Sequence, residues 1–153
     1  MARQDIPLII EAAINGETKP DRNPNTPRKP EEIVADVMRC LDAGATLIHA
    51  HTDDILLTGK EAAEHYLAAW RPILEERPDT LWYPTLGVGA DAAESLSHIE
   101  ILASEIPMRL GLCDPGSTNL GAPDPDGLPV GLVYSNTYED TRVAFEQCER
   151  LGL

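Results

Sequence analysis

The sequence predicts an α/β protein built on a parallel sheet. Three observations carry this expectation. Short apolar runs alternate with amphipathic stretches of helical period, the segments between them are rich in Gly, Pro or Asp, and the unit recurs about four times. At 153 residues, with apolar and charged fractions ordinary for a globular protein, the chain is long enough to bury one core. A single domain over 1–153 is expected.

The first apolar run, 7–13, reads as a strand. A long loop follows, carrying Gly16, Pro20, Pro24, Pro27 and Pro30. Pro30 suits the first position of a helix, Glu31 and Glu32 complement the positive end of its dipole, and Ile33, Val37, Met38 and Leu41 form one apolar stripe. Gly44 should end that helix. The run 46–51 reads as the second strand, and beyond Gly59 a helix places Tyr66, Ala69, Trp70, Ile73 and Leu74 toward the core, with Pro78 at its exit. A third strand is expected over 80–84, a loop with Gly87 and Gly89, and a helix of about three turns through Leu96 and Leu102.

The run 108–112 reads as a fourth strand. The segment after it, from Cys113-Asp114-Pro115-Gly116 to Gly127, is too turn-rich and too long for a plain connector and reads as a binding loop. Thr137 and Asp140 have the spacing of a capping box, and the last helix puts Val143, Ala144, Cys148 and Leu151 on one side before Gly152. Four βα units ending on a helix amount to half of a (β/α)8 (TIM) barrel, which needs about 250 residues.

Composition narrows the partners. A formal charge of -14 opposes binding to nucleic acid or to anionic membrane surfaces. No apolar run approaches the roughly 20 residues of a membrane helix, and Met1-Ala2-Arg3-Gln4-Asp5 does not open a signal peptide, so a cytoplasmic location is expected. Cys40, Cys113 and Cys148 are far apart and odd in number, which speaks against both a disulfide framework and a thiolate metal site.

The sharpest chemical feature is His49-Ala50-His51 at the end of the second strand. Alternation along a strand sends both imidazoles to one side, with Leu47, while Ile48 and Ala50 face the helices. Two neutral ring nitrogens at the C-terminal mouth of a parallel barrel suit a divalent metal with an open position, zinc first. Asp53 and Asp54 read as solvated loop carboxylates. Glu17, in the first βα loop, is placed to receive a cationic or hydroxyl group of a substrate. Thr85 and the glycine amides of Leu86-Gly87-Val88-Gly89 form a candidate anion site, and Asp114 after the fourth strand a candidate polar contact.

Taken in order, three blocks resemble the β-keto acid (3-keto-5-aminohexanoate) cleavage enzyme family. They are Ala12-Ala13-Ile14-Asn15-Gly16-Glu17, then Asn23-Pro24-Asn25-Thr26-Pro27 with Pro30-Glu31-Glu32-Ile33, and then Ala43-Gly44-Ala45-Thr46-Leu47-Ile48-His49-Ala50-His51, and the likeness runs on to Leu153. The resemblance implies a zinc-dependent TIM barrel that condenses a β-keto acid with acetyl-CoA to give acetoacetate and a new CoA thioester. It implies His49 and His51 as zinc ligands, Glu17 against the substrate's distal group, and Thr85 near its carboxylate. The family's third ligand, a glutamate on a late strand, has no counterpart here, and the catalytic base and CoA contacts are expected outside this chain. Asp53 stands where a basic residue is usual, and the family's strand-four threonine is not matched. Partners implied are the small-molecule β-keto acid, the CoA thioester and further copies in a homo-oligomer. Two rival readings are a metal-dependent hydrolase on the same barrel and a non-catalytic half-barrel assembly module. His65 and His98, expected in helices, offer such a hydrolase no further ligands.

Overall fold

The structure, a computed structural model, describes residues 7–153; the opening residues, on which the expectation of no leader rests, lie outside that range. The chain order begins β1 (Glu11–Ala13), α1 (Pro30–Asp42), β2 (Leu47–Ala50), α2 (Gly59–Glu76), β3 (Leu81–Pro84), α3 (Ala92–Ser95) and α4 (Ser97–Glu105). It continues with β4 (Gly116–Asn119), β5 (Ala122–Pro123), β6 (Pro129–Val130), β7 (Val133–Asn136) and α5 (Tyr138–Leu151). The first three strands form a parallel sheet in the order β1-β2-β3, with Ala12, Ile48 and Trp82 in one row and Ala13, His49 and Tyr83 in the next.

Successive rows face opposite sides of a pleated sheet. The side bearing Ile48, Ala50 and Trp82 is sealed by helices, and Trp70 of α2 stacks on Trp82 with ring centroids 4.0 Å apart. Tyr66, Ala69, Ile73 and Leu74 of α2 join Ile33 and Val37 of α1 in the same core. The opposite side, carrying Leu47, His49, Leu81 and Tyr83, is only half-buried.

The helix signals act as expected. Glu32 reaches back to accept from the backbone N–H groups of Arg28 and Lys29 at 3.0 and 3.2 Å, which holds its carboxyl below the usual range. After α1 the backbone must turn sharply back toward the sheet, and Gly44 does so at φ +102, a left-handed conformation that a side chain disfavours. Thr137 and Asp140 exchange the two bonds of a capping box at the start of α5, and Gly152 closes it at φ +72.

Four expectations need correction. The strands are shorter than the apolar runs, so that His51 stands just past β2 instead of inside it. The expected helix through Leu96 and Leu102 is split at Leu96 into α3 and α4. The run 108–112 forms no strand. Pro107 has no N–H to donate, and Met108 and Leu112 pack with Leu96, Ile99 and Ala144 in a second apolar cluster under α5. The segment passes so close to α5 that a methyl at Gly111 would lie 2.3 Å from Cys148 Sγ. An apolar run reports burial, and burial here comes from a helix instead of a fourth ladder.

The turn-rich segment is likewise not a loop. β4 pairs with β7 and β5 with β6, all antiparallel, and Asp124 closes the tip by accepting from the backbone of Asp126 and Leu128 at 3.0 and 2.9 Å. Among the described residues no helix is long and apolar enough to cross a membrane.

Candidate functional site

The C-terminal ends of β2 and β3 bring the site together. Parallel pairing aligns His49 with Tyr83 in one row, and the rings stack with centroids 4.4 Å apart. His51, one step beyond the strand, turns its ring edge-on to that of His49, and the two Nε2 atoms converge to 3.1 Å. The other nitrogens are directed outward from this point. His49 Nδ1 lies 3.3 Å from the carbonyl oxygen of Tyr83, and His51 Nδ1, buried and without a hydrogen-bond partner, lies 3.7 Å from Glu17 Oε1.

Electrostatics keep both rings neutral. Burial lowers the pKa of His49, with the Tyr83 carbonyl and the charges of Glu11 and Asp114 opposing it. Burial and then the neighbouring His49 push His51 down to about 4. Neutral imidazole is the metal-binding form. Two nitrogens each about 2.0–2.1 Å from a tetrahedral zinc would stand about 3.3 Å apart, so the observed pair needs only a small adjustment. A ligating imidazole commonly gives its other N–H to a carbonyl or carboxylate, which is the placement of Tyr83 O and Glu17. The residues present therefore fit a two-histidine half-site. Among the described residues no group of three or more His, Cys, Asp or Glu side chains gathers around a common point.

Thr85 follows β3 one position past the last paired row, Ala50 with Pro84. Its backbone is fixed by side chains that periodicity assigned only to the core or to a helix. The Tyr66 hydroxyl accepts from Thr85 N–H at 3.1 Å and donates to the Ala50 carbonyl at 3.1 Å, and His98 Nε2 donates to the Thr85 carbonyl at 2.8 Å. Spacing alone carries no signal for this network, because its members come from α2, α4 and two strand ends.

Asp114 is not part of the imidazole cluster. It accepts from the Tyr134 hydroxyl at 3.1 Å and lines a cavity of about 360 Å³ with Leu86, Asn136 and Thr141, though its charge is felt at His49. The amides expected to bind an anion are already engaged: Gly87 N–H donates to Ser95 O, Val88 N–H to Ile55 O, and Gly89 N–H to Ser95 Oγ. Asp53 pairs with Arg28 at 2.8 Å and Asp54 caps its own turn through Leu56 N–H, both structural uses.

A parallel sheet covered by helices on one face, with paired neutral imidazoles at its C-terminal edge and a carboxylate beside them, defines the chain as an α/β protein. Comparison with known sequences narrows this class. The chain belongs to the β-keto acid cleavage enzyme family, whose match covers residues 7–153. It is 33% identical over 116 residues to the 3-keto-5-aminohexanoate cleavage enzyme of Acetoanaerobium sticklandii, a match spanning 74% of this chain and 42% of that protein. Its identity to the enzyme of the same name from Fusobacterium nucleatum is 31% over 116 residues, spanning 74% of this chain and 43% of that protein. The chain thus spans less than half the length of the curated relatives it matches.

Proposed function

We infer that this chain supplies the substrate-facing half of a zinc-dependent β-keto acid cleavage reaction. In that reaction a β-keto acid and acetyl-CoA give acetoacetate and the CoA thioester of the remaining acyl group. The observation that carries the reading is the convergence of His49 and His51 Nε2 to 3.1 Å with Glu17 behind the second ring, in a chain of this family. Bound zinc would polarise the keto oxygen and stabilise the negative charge that develops as carbon–carbon bonds form and break.

His49 and His51 would hold the metal through Nε2, with Tyr83 O and Glu17 placed behind their Nδ1 atoms. Glu17, exposed on its outer side, also receives the distal polar group of the substrate; an ammonium, as in the substrate named for the relatives, suits a carboxylate. Thr85 offers its hydroxyl to the substrate carboxylate from a backbone held by Tyr66 and His98. The third ligand, the base and the CoA contacts belong to residues beyond these 153. The half-buried face of Leu47, His49, Leu81 and Tyr83 is then the interior of a (β/α)8 barrel of which this chain forms the first part. A cytoplasmic homo-oligomer completes the reading, and the exposed Leu128, Val130 and Leu132 of the hairpin and Phe145 of α5 are surface it would bury.

The test is acetoacetate release from a β-keto acid and acetyl-CoA, measured beside bound zinc in protein that also supplies those further residues. His49→Ala and His51→Ala should each abolish both, and Glu17→Gln should lower kcat/KM for a 5-amino substrate more than for its deaminated analogue. Full turnover in either histidine variant would overturn the reading.

A further inference from the structure

Resting on that reading, the geometry points to Asn15 as the positioning residue that fixes His51 and the Glu17 loop relative to His49. His51 lies one residue past β2, where the sheet no longer holds it. The last backbone bond from the β1 side is Ile14 N–H to His49 O at 3.1 Å. The Asn15 side chain then takes over the part of a strand neighbour: its Oδ1 accepts from His51 N–H at 2.8 Å and its Nδ2 donates to His51 O at 3.0 Å. One amide thus pairs with both backbone groups of a single histidine, as the facing peptide of a ladder would.

The same amide reaches two further segments. Oδ1 also accepts from Gly16 N–H at 2.8 Å, at the φ +82 turn that leads straight into Glu17, and Nδ2 also donates to Pro27 O at 3.3 Å. Both donors and the acceptor oxygen of Asn15 are in use, and every partner is backbone. On the far side of His51, the Tyr66 hydroxyl holds the preceding residue through Ala50 O. His51 is therefore fixed from two sides, and its ring can meet the His49 ring only while these bonds stand. No other residue type repeats this: aspartate would direct a carboxylate oxygen at the carbonyls of His51 and Pro27, alanine and serine do not reach both groups, and glutamine is one methylene too long.

The experiment compares the wild-type chain with Asn15→Ala, Asn15→Asp, His49→Ala and the core control Ile73→Val. It reads Zn2+ affinity by competition with a chromophoric chelator, the visible d–d spectrum of the Co2+ form, and the NMR shifts of His51 and His98 in metal-free protein. Both Asn15 variants should weaken Zn2+ by about 10-fold or more, as losses of outer-shell partners do, and alter the Co2+ spectrum, while Ile73→Val changes neither. In metal-free protein the His51 signals should move in both variants while those of His98 stay. Wild-type affinity and an unchanged Co2+ spectrum in the Asn15 variants would overturn the assignment. If wild-type protein takes up no Zn2+, the metal reading fails and the metal-free shifts decide alone: His51 signals that move uphold Asn15, and signals that stay overturn it. Should Asn15→Ala not fold, Asn15→Ser takes its place in the comparison.

Discussion

Tyr66→Phe tests the network behind the site, because it removes one oxygen and keeps the ring. The phenol is 3% exposed, stacks on His98 with centroids 5.6 Å apart, and touches Trp82; all of that survives as phenylalanine. The loss is the donor to Ala50 O and the acceptor for Thr85 N–H, each at 3.1 Å. Burial raises this hydroxyl's pKa above its ordinary value, so the group is a neutral donor throughout the working range. Two backbone groups are left without partners at about 1–3 kcal/mol each, and Thr85, being less enclosed than Ala50, takes the lower end, for about 2–3 kcal/mol in all. With a urea dependence of about 2 kcal/mol per molar, the unfolding midpoint should fall by about 1 M at unchanged slope. Native-state exchange of the Thr85 amide should accelerate in parallel. A midpoint within about 0.25 M of wild type, with Thr85 exchange unaltered, would show that the hydroxyl does not tie β2 to β3.

Three further outcomes follow from the packing around the site and the core. His98 is 1% exposed and its pKa is lowered, by burial first, with the Thr85 carbonyl partly opposing. As pH falls below the unfolded value of about 6.5 the unfolded chain takes up a proton that the folded chain refuses, so its share of stability is whole above that pH and is lost below it. Denaturation at pH 7.5 and 5.5 should show this loss shrinking in His98→Gln; an identical loss in both proteins refutes it. Gly111→Ala places a methyl 2.3 Å from Cys148 Sγ and should destabilise by about 1–3 kcal/mol, an effect that Cys148→Ala relieves if the contact is the cause. Trp82→Ala removes a fully enclosed indole stacked on Trp70 and should lower stability by about 3–5 kcal/mol in a thermal or urea melt, whereas Tyr138→Ala, at a residue 97% exposed, should leave the melt unchanged.

Much of the architecture is legible where local chemistry decides. Pro30 with Glu31 and Glu32 announces α1, Thr137 with Asp140 announces α5, and the 3.6-residue recurrence from Tyr66 to Leu74 marks the face that α2 buries. The fourth strand is misread because apolar composition cannot distinguish a ladder from a segment packed under a helix. The hairpin is hidden for the opposite reason: its strands carry Pro, Gly, Ser and Asn, residues that signal turns, and only pairing across the intervening tip makes them β.

The same division holds at the site. By itself the sequence placed two imidazoles two residues apart at the end of the second strand, because the apolar run that ends there is a local property of the chain. It also placed Glu17 in the preceding loop and tied the chain to its family through ordered blocks. Tertiary structure alone decided that the Nε2 atoms meet at 3.1 Å, that Asn15 and Tyr66 fix the backbone around His51, and that Asp114 stands apart in a different cavity. The bonds of Tyr66 and Asn15 join segments 16 and 36 residues apart, at distances set by how α2 and the first loop settle on the sheet. No periodicity within one segment records such distances.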